Sequence, residues 1–493
     1  MKTCFKNCWR LPFSIVLGVC LACSLRAQTF KTLHSFSPVL GQTTNGWDTN
    51  AEGEYPAGVL TLFGSSLYGT AYFGGQWGSG TIFKLNVDGT GFQVMHEFSA
   101  MATNSLQRFT NIDGYFPESR LVLHSNELYG TIVAGGPFGD GTLFSLEMNG
   151  GFQVLHSFSG PDGWAPVGDL IVEGTRFYGA TSDGGSNGFG TVFSVSDDGS
   201  NLQMLFQFDS HYAFYFYAFS GIYPSGGLTL SGTTLYGTTS TSWSYCCSPG
   251  GSFSYGTIYA LNTTGQLLWY SDVDLQGAGP EPGLVLLGTN LYGTAFGVWG
   301  TPVTGSIFSI DTTGTNLHVI HTLAPATGAN ASWPGTNSDG INPIGLVLSG
   351  NTLYGVTTFG GTNGYGTVFS LLIDGSMFKV LHTFSGGQDG RAPKAGLTLS
   401  GNTLYGTTAI GGDNDIGTIF SISLPVPQLA INNSSEGIIL TWPADSGGFT
   451  LQSTTNLLSP VWTTNSPAPV VVNGQNTVTN PISATQQFYR LEQ

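Results

Sequence analysis

A tandem repeat is the feature that most constrains this chain of 493 residues. The tetrapeptide LYGT, or a close variant, occurs seven times, and a second signature, GTVF or a close variant, follows each copy. The tyrosines of the first signature recur at intervals of 49–62 residues, at Tyr68, Tyr129, Tyr178, Tyr236, Tyr292, Tyr354 and Tyr405. A period near 50 residues argues against one irregular core and indicates an array of equivalent units.

Each unit contains four short segments with the character of β-strands. In one copy, the apolar segments 345–350 and 353–358 are separated by a tight turn. The segments 366–372 and 377–385 are separated by Asp374-Gly375, a residue pair typical of hairpin turns. Four strands per unit, named a to d in chain order, together with the absence of helical periodicity, predict an all-β propeller of four-stranded blades.

The phase of the repeat predicts how such a propeller closes. The segment 30–36 has the sequence of a d strand, although no unit precedes it, and the last unit ends with the c strand at 417–422. The N-terminal strand is therefore expected to complete the last blade. The prediction is a seven-bladed β-propeller closed by its N-terminal strand, an arrangement that leaves no long unpaired sheet edge.

The chain divides into three regions by composition. Residues 1–27 resemble a secretory signal, because Lys2, Lys6 and Arg10 precede the apolar run 11–25. We therefore expect export to the periplasm, the cell surface or the medium. Residues 28–424 form the predicted propeller. After residue 27, no other stretch is long and apolar enough to cross a membrane, and Cys246 and Cys247 are the only cysteines.

The remaining region, 425–493, has a different pattern. It begins with two prolines and continues with alternating segments that contain LTW, LQSTTN and FYRL in that order. This order is similar to fibronectin-III-like sandwiches, so we expect a small C-terminal β-sandwich with Trp442 in its core.

The ordered signatures LYGTT, GG, GTVFSL, DGS and VLHTFSG resemble the GloVer tandem repeat of exported bacterial proteins. The resemblance covers about 56–423 together with the strand at 29–37, and it implies export but supplies no catalytic residues. Two copies depart from the pattern, because Phe206 and Trp269 stand where the other d strands have histidine.

Charge excludes one class of partner. Only 9% of the residues are charged and the net charge is −16, and it becomes more negative without the cationic first 27 residues. Such a chain repels phosphate backbones, so no nucleic-acid partner is expected. The sequence contains no recognisable cofactor or metal motif, and we expect a monomer without a cofactor.

Six tryptophans are the candidate ligand-binding residues. Because strand direction alternates, the b–c loops and the d-to-a crossovers emerge on one face, here called the long-loop face. These loops carry Trp47, Trp77, Trp164, Trp243, Trp299 and Trp333. Exposed rings there can stack on sugars or contact an apolar partner. The alternative is that the rings pack against one another and stiffen the loops.

Recurring histidines and acids are interpreted first as structural. The histidines lie on d strands of different units, where they cannot converge on a metal, at His34, His96, His156, His321 and His382. The crossover acids lie mostly in Asp-Gly turn pairs, at Glu52, Asp113, Asp162, Asp339 and Asp389. No catalytic residue is assigned.

The expected function is that of an exported, non-catalytic binding or scaffold protein whose partner is a polysaccharide or a cell-surface protein. The alternative is a polysaccharide hydrolase or lyase of the propeller type, in which crossover acids at the channel mouth act as paired carboxylates.

Overall fold

The protein is described here from a computed structural model. The model describes residues 28–105, 107–209, 223–239, 256–273, 279–297, 304–328, 335–434, 437–444, 448–464, 467–481 and 487–492. These ranges contain β-strands and turns and no helix. The predicted all-β class is therefore confirmed for the described chain. The predicted signal at 1–27 lies outside these residues, as do Cys246 and Cys247.

The repeat region contains strands of two to ten residues. In chain order they are β1 (Thr29–Ser35), β2 (Gly41–Gln42), β3 (Asp48–Thr49), β4 (Glu54–Pro56), β5 (Thr61–Phe63), β6 (Ser66–Phe73), β7 (Thr81–Asn86), β8 (Gln93–Glu97), β9 (Ala102–Thr103), β10 (Phe109–Thr110), β11 (Val122–His124), β12 (Glu127–Ile132), β13 (Thr142–Glu147), β14 (Phe152–Ser157), β15 (Trp164–Glu173), β16 (Arg176–Asp183), β17 (Thr191–Ser196), β18 (Gln203–Gln207), β19 (Thr229–Ser231), β20 (Thr234–Thr239), β21 (Thr257–Asn262), β22 (Leu267–Asp272), β23 (Val285–Leu287), β24 (Asn290–Phe296), β25 (Gly305–Asp311), β26 (His318–Thr322), β27 (Ile341–Ser349), β28 (Thr352–Phe359), β29 (Thr367–Leu372), β30 (Lys379–Thr383), β31 (Thr398–Ser400), β32 (Thr403–Thr408) and β33 (Thr418–Ser423).

Within the described residues, most of these strands form seven consecutive antiparallel sheets, each with strands in the order a, b, c, d, while β2–β3 and β9–β10 form two small two-stranded sheets. Sheet 1 has a divided a strand, because β4 and β5 both pair with β6, and β7 and β8 follow. Sheets 2 to 6 are β11–β14, β15–β18, β19–β22, β23–β26 and β27–β30. Sheet 7 has the order β1–β33–β32–β31, so its outer strand comes from the opposite end of the repeat region. The arrangement is propeller-like.

The pairing of β1 with β33 runs along the whole strand. Thr29 lies opposite Ser423, and Ser35 lies opposite Thr418, with one irregularity between Thr32 and His34. After the strand, Phe36 is fully buried and packs in one cluster with Leu60 and with residues of sheet 7.

The glycine of the LYGT signature lies under the aromatic ring of the GTVF signature in the same sheet. A Cβ atom on Gly69 would lie 2.6 Å from Cζ of Phe83. Real Cβ atoms do not approach other atoms so closely, so the aromatic ring of the GTVF signature leaves no space for a side chain at the glycine of the LYGT signature. The same close approach recurs at Gly130, Gly179, Gly237, Gly293, Gly355 and Gly406.

The glycine that opens the GTVF signature makes the junction between consecutive sheets. Gly80 has a positive φ of +98°, and a Cβ atom there would lie 2.5 Å from Cδ of Pro117 in the next sheet. Equivalent pairs are Gly141 and Pro166, Gly190 and Pro224, Gly256 and Pro280, Gly305 and Pro343, Gly366 and Pro393, and Gly417 and Pro56. The last pair joins sheet 7 to sheet 1, through the same contact that joins neighbours in the chain.

The tail forms two further sheets. Its strands are β34 (Ala430–Ser434), β35 (Gly437–Pro443), β36 (Thr450–Thr454), β37 (Thr463–Thr464), β38 (Val470–Val472), β39 (Gln475–Asn480) and β40 (Phe488–Glu492). One sheet has the order β34–β35–β39–β38 and the other the order β37–β36–β40. Trp442 is 1% exposed and packs with Leu440, Leu451 and Val478, so its predicted place in a core is confirmed.

Candidate functional site

The six tryptophans of the long loops divide into three groups. Trp77 and Trp164 are each 42% exposed. Trp47 is half-buried among other aromatic rings. Trp243, Trp299 and Trp333 lie outside the described residues, so their proposed role stays a prediction.

Trp47 belongs to an aromatic cluster where sheets 1 and 2 meet. Its ring stacks on Phe73 at 5.5 Å between centroids and meets the edge of Phe116 at 5.1 Å. Phe116 in turn stacks on Tyr72 at 4.7 Å. This is the packing that stiffens a loop, and it favours the structural interpretation for Trp47.

Trp164 has different surroundings. The guanidinium carbon of Arg108 lies 5.6 Å from the centroid of the ring, within the range of a cation–π contact. Arg108 also donates to Asp140 at 2.7 Å, and that carboxylate is only 7% exposed. Burial raises the pKa of Asp140, although Arg108 opposes the effect. Phe138, two residues before Asp140, is 52% exposed.

We call Arg108, Phe138, Asp140 and Trp164 the crossover patch. It combines exposed aromatic rings with an anchored ion pair, and its residues come from the crossover into sheet 2, the b–c loop of sheet 2 and the start of β15. Rings of this kind cover apolar faces of a ligand, while the charged pair offers hydrogen bonds to hydroxyl groups.

A carboxylate oxygen of each of the five crossover acids lies 2.7–3.8 Å from Nε2 of the d-strand histidine that precedes it. Asp113 is an example, because it accepts from His96 at 3.1 Å and from the backbone nitrogen of Ser99. The corresponding histidine–acid pairs are His34 and Glu52, His156 and Asp162, His321 and Asp339, and His382 and Asp389. Each acid thus has a histidine of the preceding d strand as its neighbour, which favours the structural interpretation of both residue types.

The pKa shifts in two of these pairs do not favour general acid catalysis. Burial acts to raise the pKa of Asp162, but hydrogen bonds from His156 and Ser159 outweigh it and hold the pKa below its ordinary value. Burial lowers the pKa of His382, although Asp389 acts in the opposite direction. A general acid near neutral pH needs a raised carboxyl pKa, so these pairs are better suited to holding the crossovers.

The histidines also connect neighbouring sheets. The ring of His96 stacks on Phe152 of the next d strand at 3.8 Å, with an interplanar angle of 5°. The N-terminal strand β1 makes such stacks with the sheets on both sides of it, since Phe30 stacks on His382 at 3.9 Å and His34 stacks on Phe92 at 4.0 Å. β1 therefore makes the contacts of an ordinary d strand with sheets 6 and 1.

The two departures from the histidine pattern differ in the structure. Phe206 lies opposite Val192, as His96 lies opposite Ile82. In sheet 4 the residue opposite Ile258 is Ser271, so the expectation that Trp269 takes the histidine position is wrong. Phe206 of β18 meets Phe208 edge-on at 5.0 Å. Trp269 of β22 donates from Nε1 to the carbonyl oxygen of Thr312 in the next sheet at 3.0 Å. Trp269 therefore connects its sheet with the next one from a different strand position, whereas this ring contact of Phe206 lies within its own chain segment.

Asp113→Asn is expected to lower the free energy of unfolding by about 2 kcal/mol, because it weakens charge-assisted hydrogen bonds to His96 and Ser99 at a site only 6% exposed. Urea unfolding followed by tryptophan fluorescence measures the change. The matched control is Asp374→Asn in an exposed turn, with an expected change below about 0.5 kcal/mol. Equal effects of the two variants would contradict the structural role.

Sequence reasoning missed a set of charged residues that follow the repeated proline. They line an axial cavity of about 1090 Å³, bordered by the a-strand segments of all seven sheets. The charged lining residues are Glu118, Arg120, Asp169, Glu281 and Lys394. A signal was present, because equivalent positions in other units hold small or aliphatic residues such as Ala57 and Val167.

In the part of the chain that the structure describes, no three histidine, cysteine or acidic residues group as metal ligands. A search of the same residues for an apolar helix of membrane-spanning length finds none.

The sheets, the repeated glycine–proline junctions and the histidine–acid pairs define an all-β, propeller-like repeat protein. The family model described as the Gloeobacter/Verrucomicrobia repeat matches residues 99–245 and 333–438, just over half of the chain. The chain belongs to this repeat family. Among curated proteins, none matches the sequence.

Solved structures with a similar fold have low sequence identity. An oligogalacturonate lyase in complex with manganese is 12% identical, with 81% of this chain and 96% of that chain covered and a TM-score of 0.47. A puromycin-hydrolysing peptidase of Mycobacterium tuberculosis is 12% identical, with 80% and 62% covered and a TM-score of 0.46. TolB from Acinetobacter baumannii is 13% identical, with 60% and 58% covered and a TM-score of 0.32. This chain spans less than two thirds of the last two proteins, and none of these likenesses assigns an activity.

Proposed function

We propose that the protein is an exported, non-catalytic binding protein that recognises a polysaccharide through the crossover patch on its long-loop face. Its framework in this proposal is a seven-bladed propeller closed by β1, and residues 425–493 are a fibronectin-III-like sandwich that acts as a spacer or attachment module. Export rests on the sequence of residues 1–27.

Closure of the propeller is supported by contacts between the first and last units. The backbone nitrogen of Tyr55 donates to the carbonyl oxygen of Ile416 at 3.0 Å, as Phe116 donates to Ser79 at the next junction. The contact of Gly417 with Pro56 likewise matches the other six junctions. Such equivalence is expected of a ring and not of an open rod, whose terminal units would lack one neighbour.

The observation that carries the binding role is the exposed Trp164 ring beside the ion pair of Arg108 and Asp140. Arg108 restricts the orientation of the ring, and the ion pair restricts Arg108. A preorganised ring loses little conformational freedom when it stacks on a sugar. The crossover acids, in contrast, are engaged by histidine and serine, which favours binding over paired-carboxylate catalysis.

Trp164→Ala is expected to weaken binding of a polysaccharide, selected from a glycan array, by about tenfold or more, since the ring contributes roughly 1–3 kcal/mol when it is buried against a ligand. Isothermal titration calorimetry with the selected oligosaccharide measures the loss. The matched control is Trp462→Ala, which removes a ring of the tail that also lies under an arginine, Arg490, at 4.4 Å.

Three outcomes would contradict parts of the proposal. Unchanged affinity of both Trp164→Ala and Trp77→Ala would exclude these two exposed rings from the binding surface. Capture of a cell-surface protein without any glycan signal would replace the polysaccharide by a protein partner. Release of reducing sugar that disappears in Asp113→Asn or Asp162→Asn would favour the enzyme.

A further inference from the structure

The axial cavity holds an acidic residue whose charge no described residue compensates. Glu281 directly follows the repeated proline of sheet 5, and Ser225 occupies the equivalent position in sheet 4. The backbone of Glu281 is anchored, because its nitrogen donates to the carbonyl oxygen of Thr294 at 2.8 Å. Its carboxylate lines the cavity and has no hydrogen bond or ion pair with any described residue.

Each of the other two acids of the cavity interacts with a cation. Lys394 acts on the carboxyl of Glu118 and lowers its pKa, although burial raises it more strongly. Burial raises the pKa of Asp169, although the charge of Arg120 and a hydrogen bond from its backbone nitrogen at 3.0 Å act in the opposite direction. Three carboxyl groups therefore face two cations, and Glu281 is the acid without an opposite charge nearby.

The walls of the cavity exclude part of the water around Glu281. This desolvation raises the pKa of its carboxyl to about 7. A carboxylate in such a place gains more from an incoming cation than one in bulk water does, because fewer water molecules screen the pair. An anionic ligand, in contrast, would meet more carboxyl groups than cations, and Glu281 would repel it.

We propose that the axial cavity is a second binding site, which takes a compact organic cation with a primary ammonium group and pairs that group with Glu281. The volume of about 1090 Å³ is sufficient for a ligand of the size of a dipeptide or a disaccharide. The cavity site involves none of the residues of the crossover patch, so it stands independently of the polysaccharide proposal.

The test compares two probes that differ in one charged group. Nα-acetyl-lysine amide carries an ammonium group that stays protonated from pH 6 to 8, and Nα-acetyl-norleucine amide is its uncharged counterpart. Isothermal titration calorimetry on the full chain is expected to show binding of the first probe and at least tenfold weaker binding of the second. Affinity for the charged probe is expected to rise about tenfold from pH 6 to pH 8, as the carboxyl of Glu281 ionises.

Glu281→Gln is expected to remove both the preference for the charged probe and its dependence on pH. Glu281→Ser should behave in the same way and keeps the fold, because serine is the native residue at the equivalent position 225. Glu147→Gln, at an exposed acid of β13, and Trp164→Ala should leave the preference unchanged. Equal affinity for the two probes, or a preference that survives both substitutions of Glu281, would overturn the proposal.

Discussion

Deletion of residues 28–37 is expected to lower the free energy of unfolding by at least about 5 kcal/mol and the melting temperature by more than about 10 °C. The deletion removes β1, which pairs with β33 over its whole length. It also removes the stacks of Phe30 on His382 and of His34 on Phe92, together with the fully buried Phe36. Loss of one buried phenylalanine side chain alone costs about 3–5 kcal/mol.

Differential scanning calorimetry of residues 28–493 and of the deletion variant measures this effect. The control is deletion of residues 425–493, which leaves every strand of the seven sheets in place and should change the main transition by much less. A second measurement uses Thr29→Cys with Ser423→Cys, residues that lie opposite each other in the β1–β33 pair, after Cys246 and Cys247 are replaced by serine. Failure of this pair to cross-link, or an unchanged melting temperature of the deletion variant, would contradict closure by β1.

Glu54→Gln is expected to stabilise the protein at alkaline pH and to have a much smaller effect at acidic pH. Glu54 is 2% exposed, and its Oε1 atom has no hydrogen-bond partner among the described residues. Burial, with a smaller contribution from the charge of Asp48, raises the pKa of its carboxyl from 4.5 to about 7. Between these two values the unfolded chain releases the proton and the folded chain keeps it, so the wild-type protein loses stability as pH rises.

The stability difference between Glu54→Gln and the wild type should therefore grow by roughly 2.5 kcal/mol between pH 5 and pH 8. Urea unfolding at several pH values measures it.

Glu52→Gln is the matched control with the opposite sign. Burial would raise the pKa of Glu52, but hydrogen bonds with His34 and Ser37 hold it below 4.5. Its ionised form stabilises the fold at neutral pH and loses that contribution as the solution is acidified. Parallel pH profiles of the two variants would show that the carboxyl of Glu54 is not desolvated as described.

Much of the framework could be predicted from the repeat. The hairpin pair Asp374-Gly375 lies between β29 and β30, as the sequence predicts. The extra d-type strand at the N-terminus pairs with β33, which the phase of the repeat also indicates. These features depend on residues that are close in the chain or that recur in every unit, so the seven copies of the repeat indicate them more clearly than a single copy would.

The reason for the repeated proline could not be predicted from the sequence. Its partner is a glycine of the preceding sheet, for example Gly80 for Pro117. Two strands and a crossover separate the two residues in the chain. The pattern shows that both residues recur, but it contains no information about their distance. Only the packing of one sheet against the next brings them into contact.

The candidate sites also depend partly on local sequence and partly on how the sheets pack. The sequence identified long loops rich in tryptophan, but Trp47 and Trp164 look alike in sequence and differ in the structure, since one is packed and the other is exposed. The acids Glu118 and Glu281 do not lie in Asp-Gly turn pairs such as that of Asp113, so the sequence pattern does not distinguish them. Their importance depends on the cavity that seven a-strand segments enclose.

The sequence by itself determined the strand order, the turns and the number of units, because hydrogen-bonded hairpins depend on residues that are close in the chain. Tertiary structure alone decided which rings are exposed, which acids have a histidine partner and which carboxylate stands without a cation. Those properties depend on burial and on distances between units, and residues of neighbouring units are about 50 positions apart in the sequence. Exposure and desolvation therefore arise only when the sheets pack together.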